Sequence, residues 1–357
     1  MERIYNFSAG PGTLPVSALE EARDEMLVFK DAGASIMEIS HRSSQYTAVA
    51  DATRQHLRDL LGLGPDWHIL FLQGGAFLQF YQSALNGMRA GETANYVLTG
   101  SWAKKAHAEA KRIGATHVAA TSADTAFDHI PAVASWNVTP DAPWVHITSN
   151  NTIYGTQFAD DPHIGVPLLC DASSDFLSRP IDMDRYDLIY AGAQKNIGPA
   201  GATVVLVRQS FLDRVPDGLP TMLDYRTHAN DLFHTPPVFA VYMIEKVLRW
   251  IKEGGSLADM KRRNDEKAGL LYSRIDATDF YRGHARKDSR SNMNVTFRLP
   301  SEELEGRFIA EAKKEGLYSL KGHRSVGGIR ASIYNACPRE GVAALAEFMQ
   351  RFEASNG

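Results

Sequence analysis

Short, richly apolar runs alternate with stretches of helical periodicity through roughly the first 250 residues. Parallel strands can be joined only by a long crossover, usually a helix, so this alternation dictates stacked βα units and a mainly parallel sheet. The clearest runs are His68–Leu72, Ala94–Leu98, Trp144–Thr148, Val166–Cys170, Asp187–Ala191 and Thr203–Val207. Each is apolar on both faces, as strands covered by helices on two sides are.

Ile244, Val247, Leu248 and Ile251 then recur at helical spacing before Lys252-Glu-Gly-Gly-Ser256 interrupts them, which predicts a helix leading out of a large unit. Beyond it lie a strand-like Met293–Phe297, a helical Glu303–Lys314 and a second strand pair around Gly328–Ile333. A terminal helix follows, with Val342, Leu345, Phe348 and Phe352 on one face. At 357 residues the chain exceeds one ordinary domain. The expectation is an α/β large domain over 16–255 and a smaller α+β domain over 256–357, with residues 1–15 packing nearby. The sequence holds no internal repeat or low-complexity segment.

Lys and Arg total 38 against 42 Asp and Glu, so there is no broad positive field for a nucleic-acid backbone, and any anion must be captured locally. Cys170 and Cys337 are too few for a disulfide scaffold and do not have metal-ligand spacing, which points to a reducing compartment and no structural metal. MERIYNFSAGPG lacks a basic stretch followed by an apolar core, and no apolar run approaches the ~20 residues of a membrane helix. A cytoplasmic address is expected.

In open α/β sheets ligands gather beyond the carboxyl ends of strands, and five segments put unusual residues there. Gln73-Gly74-Gly75-Ala76-Phe77 joins a strand to a helix; its free amides could hold a phosphate, although a Gly-Gly turn is also ordinary chain reversal. It is neither GxGxxG nor GxxxxGK[ST], so a single phosphate fits better than a dinucleotide. Trp102 could stack on a flat cofactor or serve only as packing. Asn150-Asn-Thr152 and Asp171-Ala-Ser-Ser174 each follow an apolar strand. Asp171 is either a turn former or a buried carboxylate whose partner could be a protonated pyridine nitrogen. Lys195 sits between a buried strand and a Gly-rich turn, where its ammonium is penalised and a neutral, Schiff-base-forming amine becomes accessible.

Five motifs run through almost the whole chain: FSAGP at 7–11, SHR at 40–42, GAQKNIGPAG at 192–201, HTPP at 234–237 and GHRSVGGIRASIYNA at 322–336. Taken together they resemble the phosphoserine aminotransferase family, within the class V aminotransferases. The resemblance implies a fold-type I pyridoxal 5'-phosphate enzyme acting as a homodimer. It would convert phosphoserine and 2-oxoglutarate to 3-phosphohydroxypyruvate and glutamate in serine biosynthesis, with 4-phosphohydroxythreonine in pyridoxine biosynthesis as a second activity. By the same resemblance Lys195 forms the Schiff base, Asp171 contacts the pyridine nitrogen, Trp102 stacks on the ring and Thr152 bonds its phenolic oxygen. The cofactor phosphate is held by the Ala76 and Phe77 amides, by Gln194, and by His234 and Thr235 reaching over from the second subunit. Arg330 takes the substrate α-carboxylate, and His41, Arg42, His323 and Arg324 receive its distal phosphate or carboxylate.

Three positions depart from the family pattern: Phe77 where some relatives carry arginine, His234 where asparagine is usual, and Ala9 where some carry serine. Two other classes compete with the transaminase reading. One is a different reaction on the same scaffold, either amine transfer from another anionic amino acid or a cysteine desulfurase, for which Cys337 is the one late sulfur. The other is a non-catalytic small-molecule binder, since fold alone never fixes function.

Overall fold

The computed structural model describes residues 3–230 and 232–357; of the expected 1–15 segment, residues 1 and 2 lie outside the described residues. Its main sheet has seven strands: β1 Trp67–Leu72, β2 Thr93–Leu98, β3 Ala115–Thr121, β4 Val145–Thr148, β5 Leu168–Asp171, β6 Tyr186–Gly192 and β7 Thr203–Arg208. They lie in the order β1-β7-β6-β5-β4-β2-β3. β7 runs against both its neighbours, and the other neighbouring pairs are parallel. Thr203 opens β7 opposite both Leu72 and Gly192. Hence β1 ends on the same rim as the five parallel strands, and the last residues of six strands converge there.

Side chains alternate between two apolar layers, which is why the runs read as apolar throughout. Ile69, Phe71, Val204 and Leu206 face one layer; Leu70, Leu72, Val205 and Val207 face the other. The first layer is closed by helices α1 (Ser44–Leu61) and α4 (Val238–Glu253), the second by α2 (Gly75–Gly87) and α3 (Ser101–Ala110).

The mainly parallel α/β sheet is as expected, with two local corrections. Strand β5 is Leu168–Asp171, not Val166–Cys170, because Pro167 has no N–H to give the ladder; its carbonyl accepts from Val145 N instead. Strand β3 was not foreseen. It is a sheet edge in which Ala119 alone is buried, so it offers no apolar run to read.

A second core surrounds a three-stranded antiparallel sheet of Arg282–Gly283, Asn294–Arg298 and Ile329–Ser332. Helices α5 (Leu257–Ile275), α6 (Glu302–Lys314) and α7 (Arg339–Asn356) cover it. The strand pair expected around Gly328–Ile333 is a single strand, Ile329–Ser332, which pairs with Asn294–Arg298 and meets Lys321 only through an isolated bridge. Helix α5 straps the two cores together: Leu257 and Met260 belong to the first, Ala268, Leu271 and Ile275 to the second. Tyr5–Asn6 pairs in parallel with Leu317–Tyr318, and Phe7 is buried in the second core. A few residues on, Gly12 N donates to the Gln194 carbonyl at 2.7 Å, so this segment runs from the second core to the Lys195 turn. Among the described residues no helix is long and apolar enough to cross a membrane, and no acid, His or Cys cluster could hold a metal.

Candidate active site

Every side chain at the rim owes its position to a strand end. After β1 the chain reverses through Gly74 and Gly75, whose φ values of +85° and +63° belong to the left-handed region that favours glycine. Gly74 caps α2 without a side chain to bond the first helical amides, so the N–H groups that open this helix, those of Ala76 and Phe77 included, are open to an anion. Phe77 itself is 59% exposed.

Asp171 closes β5 and is buried, with 5% exposure. Burial pushes its carboxyl above the usual range, while the charge of Lys195 pulls it back. One oxygen accepts from Ser173 N at 3.0 Å, so the turn-forming and buried-carboxylate readings of this residue both hold. Lys195 lies on the turn between β6 and β7. Part of its chain touches solvent, but burial at the amine lowers its pKa to about 8, with Asp171 opposing. Nζ donates to Thr152 Oγ1 at 2.8 Å and lies 5.7 Å from the centre of the Trp102 ring. The Trp102 Nε1 is buried with no hydrogen-bond partner.

Thr152 also links the two cores, because its carbonyl accepts from Arg330 Nη1 at 3.3 Å. Among the described residues Arg330 has no carboxylate partner, and burial lowers its pKa. With His323, Tyr154, His284 and Thr296 it lines a cavity of about 90 Å³. His323 Nδ1 meets Ser325 Oγ at 2.7 Å, and burial, then Arg330, Arg324 and Lys105, disfavour its protonation. Arg324 is exposed beside it.

Four predicted residues lie towards β1, Thr235 against the Gln73 turn itself. His41 and His234 line the larger cavity of about 520 Å³ beside β1, together with Arg54, Arg58, His68 and His228. Its size does not mark it as the reaction centre, since the buried amine and carboxylate are not in it. Arg42 Nη2 donates to the Leu232 carbonyl at 2.9 Å, and the Thr235 carbonyl accepts from Gln73 Nε2 at 3.0 Å. Both His234 ring nitrogens are buried and, among the described residues, have no hydrogen-bond partner, and burial, His228 and His41 hold the ring towards its neutral form. Among the described residues none of the four bonds to Lys195, Asp171, Thr152, His323 or Arg330, and His41 and His323 line different cavities.

Sequence reading missed two neighbours of the site. Tyr334, buried near Arg330 and Thr152, donates its hydroxyl to the Ala9 carbonyl at 2.6 Å; it lay within a quoted motif. Lys105 lies over the Trp102 ring; its signal was a spacing of three residues from Trp102 on one helix.

This rim, with a lysine of depressed basicity beside a buried carboxylate, defines a class. Residues 4–345 match the family model described as Aminotransferase class-V. The chain is 53% identical over 355 residues to a phosphoserine aminotransferase of Geobacillus kaustophilus and 51% over 356 residues to that of Halalkalibacterium halodurans, each match covering 99% of both chains. The phosphoserine aminotransferase structure from Bacillus circulans subsp. alkalophilus superposes with a TM-score of 0.97 at 50% identity, covering all of both chains. The PLP-bound enzyme from Trichomonas vaginalis does so with 0.93 at 38% identity, over 98% of this chain and 100% of that one. The chain belongs to the phosphoserine aminotransferase family of class V.

Proposed function

We propose that the chain moves the amino group of O-phospho-L-serine to 2-oxoglutarate, giving 3-phosphohydroxypyruvate and L-glutamate, with pyridoxal 5'-phosphate joined to Lys195. The observation that carries this is a buried amine, lowered to about 8, beside a buried carboxylate whose cationic neighbour is that amine. The rim fits the cofactor on its own evidence: an uncapped helix start for a phosphate, the unpartnered Trp102 Nε1, and Asp171. When bound, the cofactor supplies an electron sink for the substrate's α-carbon.

The chain's own groups do the rest. Asp171 would face the pyridine nitrogen, Trp102 would cover the ring, Thr152 Oγ1 would bond the phenolic oxygen, and Gln194 with the Ala76 and Phe77 amides would hold the phosphate. With the cofactor bound, the Lys195 amine would take the proton from the substrate's α-carbon and give it up to the cofactor's aldehyde carbon; a pKa of about 8 leaves a useful neutral fraction near neutrality. Arg330 grips the α-carboxylate as a planar fork, exchanging its bond to the Thr152 carbonyl for two to substrate. His323 and Arg324 meet the distal phosphate.

His41, Arg42, His234 and Thr235 complete the site from a second copy of the chain, which makes the working form a homodimer. This reading is supported by His41 and His234 lining a cavity that holds neither Lys195 nor Asp171, and by a His234 ring that is unpartnered among the described residues. It includes a division into domains 16–255 and 256–357 with α5 as the strap, and a cytoplasmic setting in keeping with free Cys170 and Cys337. A desulfurase reading loses its sulfur: Cys337 is 4% exposed and burial pushes its thiol to about 11, unlike a mobile acceptor.

Borohydride reduction of the holoprotein followed by peptide mass analysis should place the cofactor adduct on Lys195. An adduct on another lysine sinks the proposal. The kcat/KM for phosphoserine should exceed that for serine by at least about a hundredfold, because serine leaves the anion groups unpaired.

A further inference from the structure

Lys105 has no part in the scheme above. It follows Trp102 by three residues on α3, so the two side chains share a helix face. Its Nζ lies 4.7 Å from the centre of the Trp102 ring and 4.8 Å from that of Phe77. Those two rings meet edge to face with centres 5.5 Å apart. Aromatic faces at this range attract an ammonium and limit where its flexible stem can carry it. Among the described residues no carboxylate pairs with Lys105, so its charge is uncommitted. Its field also reaches into the second core: with Arg330 and Arg324, Lys105 is one of three cations that disfavour a proton on His323. The lysine thus rests on the rings over the Lys195 rim, within electrostatic reach of His323.

We propose that Lys105 is a specificity-determining residue, its ammonium carried on the Phe77–Trp102 pair to complete the positive rim of His323, Arg324 and Arg330 around the substrate's distal anion. A phosphate monoester carries close to two negative charges at neutral pH and a side-chain carboxylate one, so an added cation favours the phosphorylated substrate. With protonation of His323 disfavoured, Arg324, Arg330 and Lys105 carry the charge of this rim. The inference rests on the reading that His323 and Arg324 face the distal anion.

The test uses holoenzyme with its cofactor content measured by absorbance, and compares Lys105→Met, Lys105→Arg and Arg324→Met. Methionine keeps an apolar stem on the two rings and removes the charge. For Lys105→Met, the expected result is kcat/KM for phosphoserine down about tenfold, mainly through KM, against less than about threefold for glutamate. The inhibition constant of inorganic phosphate should rise in parallel, and Lys105→Arg should restore most of the loss. If Arg324→Met weakens phosphoserine but Lys105→Met does not, the Lys105 proposal is overturned and the reading of the anion site stands. If neither variant alters the preference between the two substrates, that reading fails and the proposal with it. Loss of cofactor from Lys105→Met, or an equal fall for both substrates, would assign Lys105 to cofactor retention or packing and overturn it as well.

Discussion

Thr152 shows how much rests on single side chains here: its hydroxyl receives the Lys195 amine and its carbonyl receives Arg330. The lysine's environment has a measurable signature. Its amine titrates near about 8 in the fold against roughly 10.4 in an unfolded chain. Between those values the unfolded chain binds a proton that the folded one does not, so this group's contribution to stability rises with pH across that window. Below it, the buried charge costs stability. Cofactor-free Lys195→Met should therefore melt above the parent protein at pH 7, with the gap closing by about pH 10; thermal melts at both values check this, and a lower melting point at pH 7 would refute burial as the cause. The burial at Lys195 and Asp171 was legible in the sequence because both sit among Ala, Gly and apolar strand residues. Lys105 was not, because a lysine on a polar helix reads as a solvated face until the rings beneath it are seen.

At the scale of elements, local chemistry decided most of what could be read. The six apolar runs became strands because both their faces are covered, while β3 stayed hidden at the sheet edge and Pro167 moved the start of β5. Helix α5 begins at a capping box in which Ser256 Oγ accepts from Asp259 N at 3.2 Å and Asp259 Oδ2 accepts from Ser256 N at 2.9 Å. Since this helix straps the two cores, its start bears on the stability of both. Ser256→Ala should cost about 1 kcal/mol, lowering the urea midpoint without altering the slope; an unchanged midpoint would mean the cap is redundant.

At the scale of the whole molecule, the resemblance expects His234 and Thr235 to come from a second chain but assigns His41 and Arg42 to neither. His41 and Arg42 read as partners of His323 and Arg324, yet His41 and His323 line different cavities of one chain, which only a three-dimensional arrangement could reveal. The homodimer reading makes a direct demand. Lys195→Ala and Arg42→Ala homodimers should each be nearly inactive, and subunits remixed in equal amounts should regain about a quarter of parental activity, because half the dimers are mixed and one of their two sites is intact. No recovery after verified exchange would place Arg42 in the same chain's site.

Pairing over long distances was the least legible feature of all, and Tyr5–Asn6 beside Leu317–Tyr318 is the extreme case. Ribosomal synthesis runs in one direction, so residues 5–7 emerge about 310 positions before the strand they join. The sheet that carries Lys195 can condense while translation continues, but Phe7 has nowhere to bury itself until the last stretch of polypeptide is released. Between those moments the segment around Phe7 waits in solution, which makes it the place where a chaperone has a long opportunity to bind.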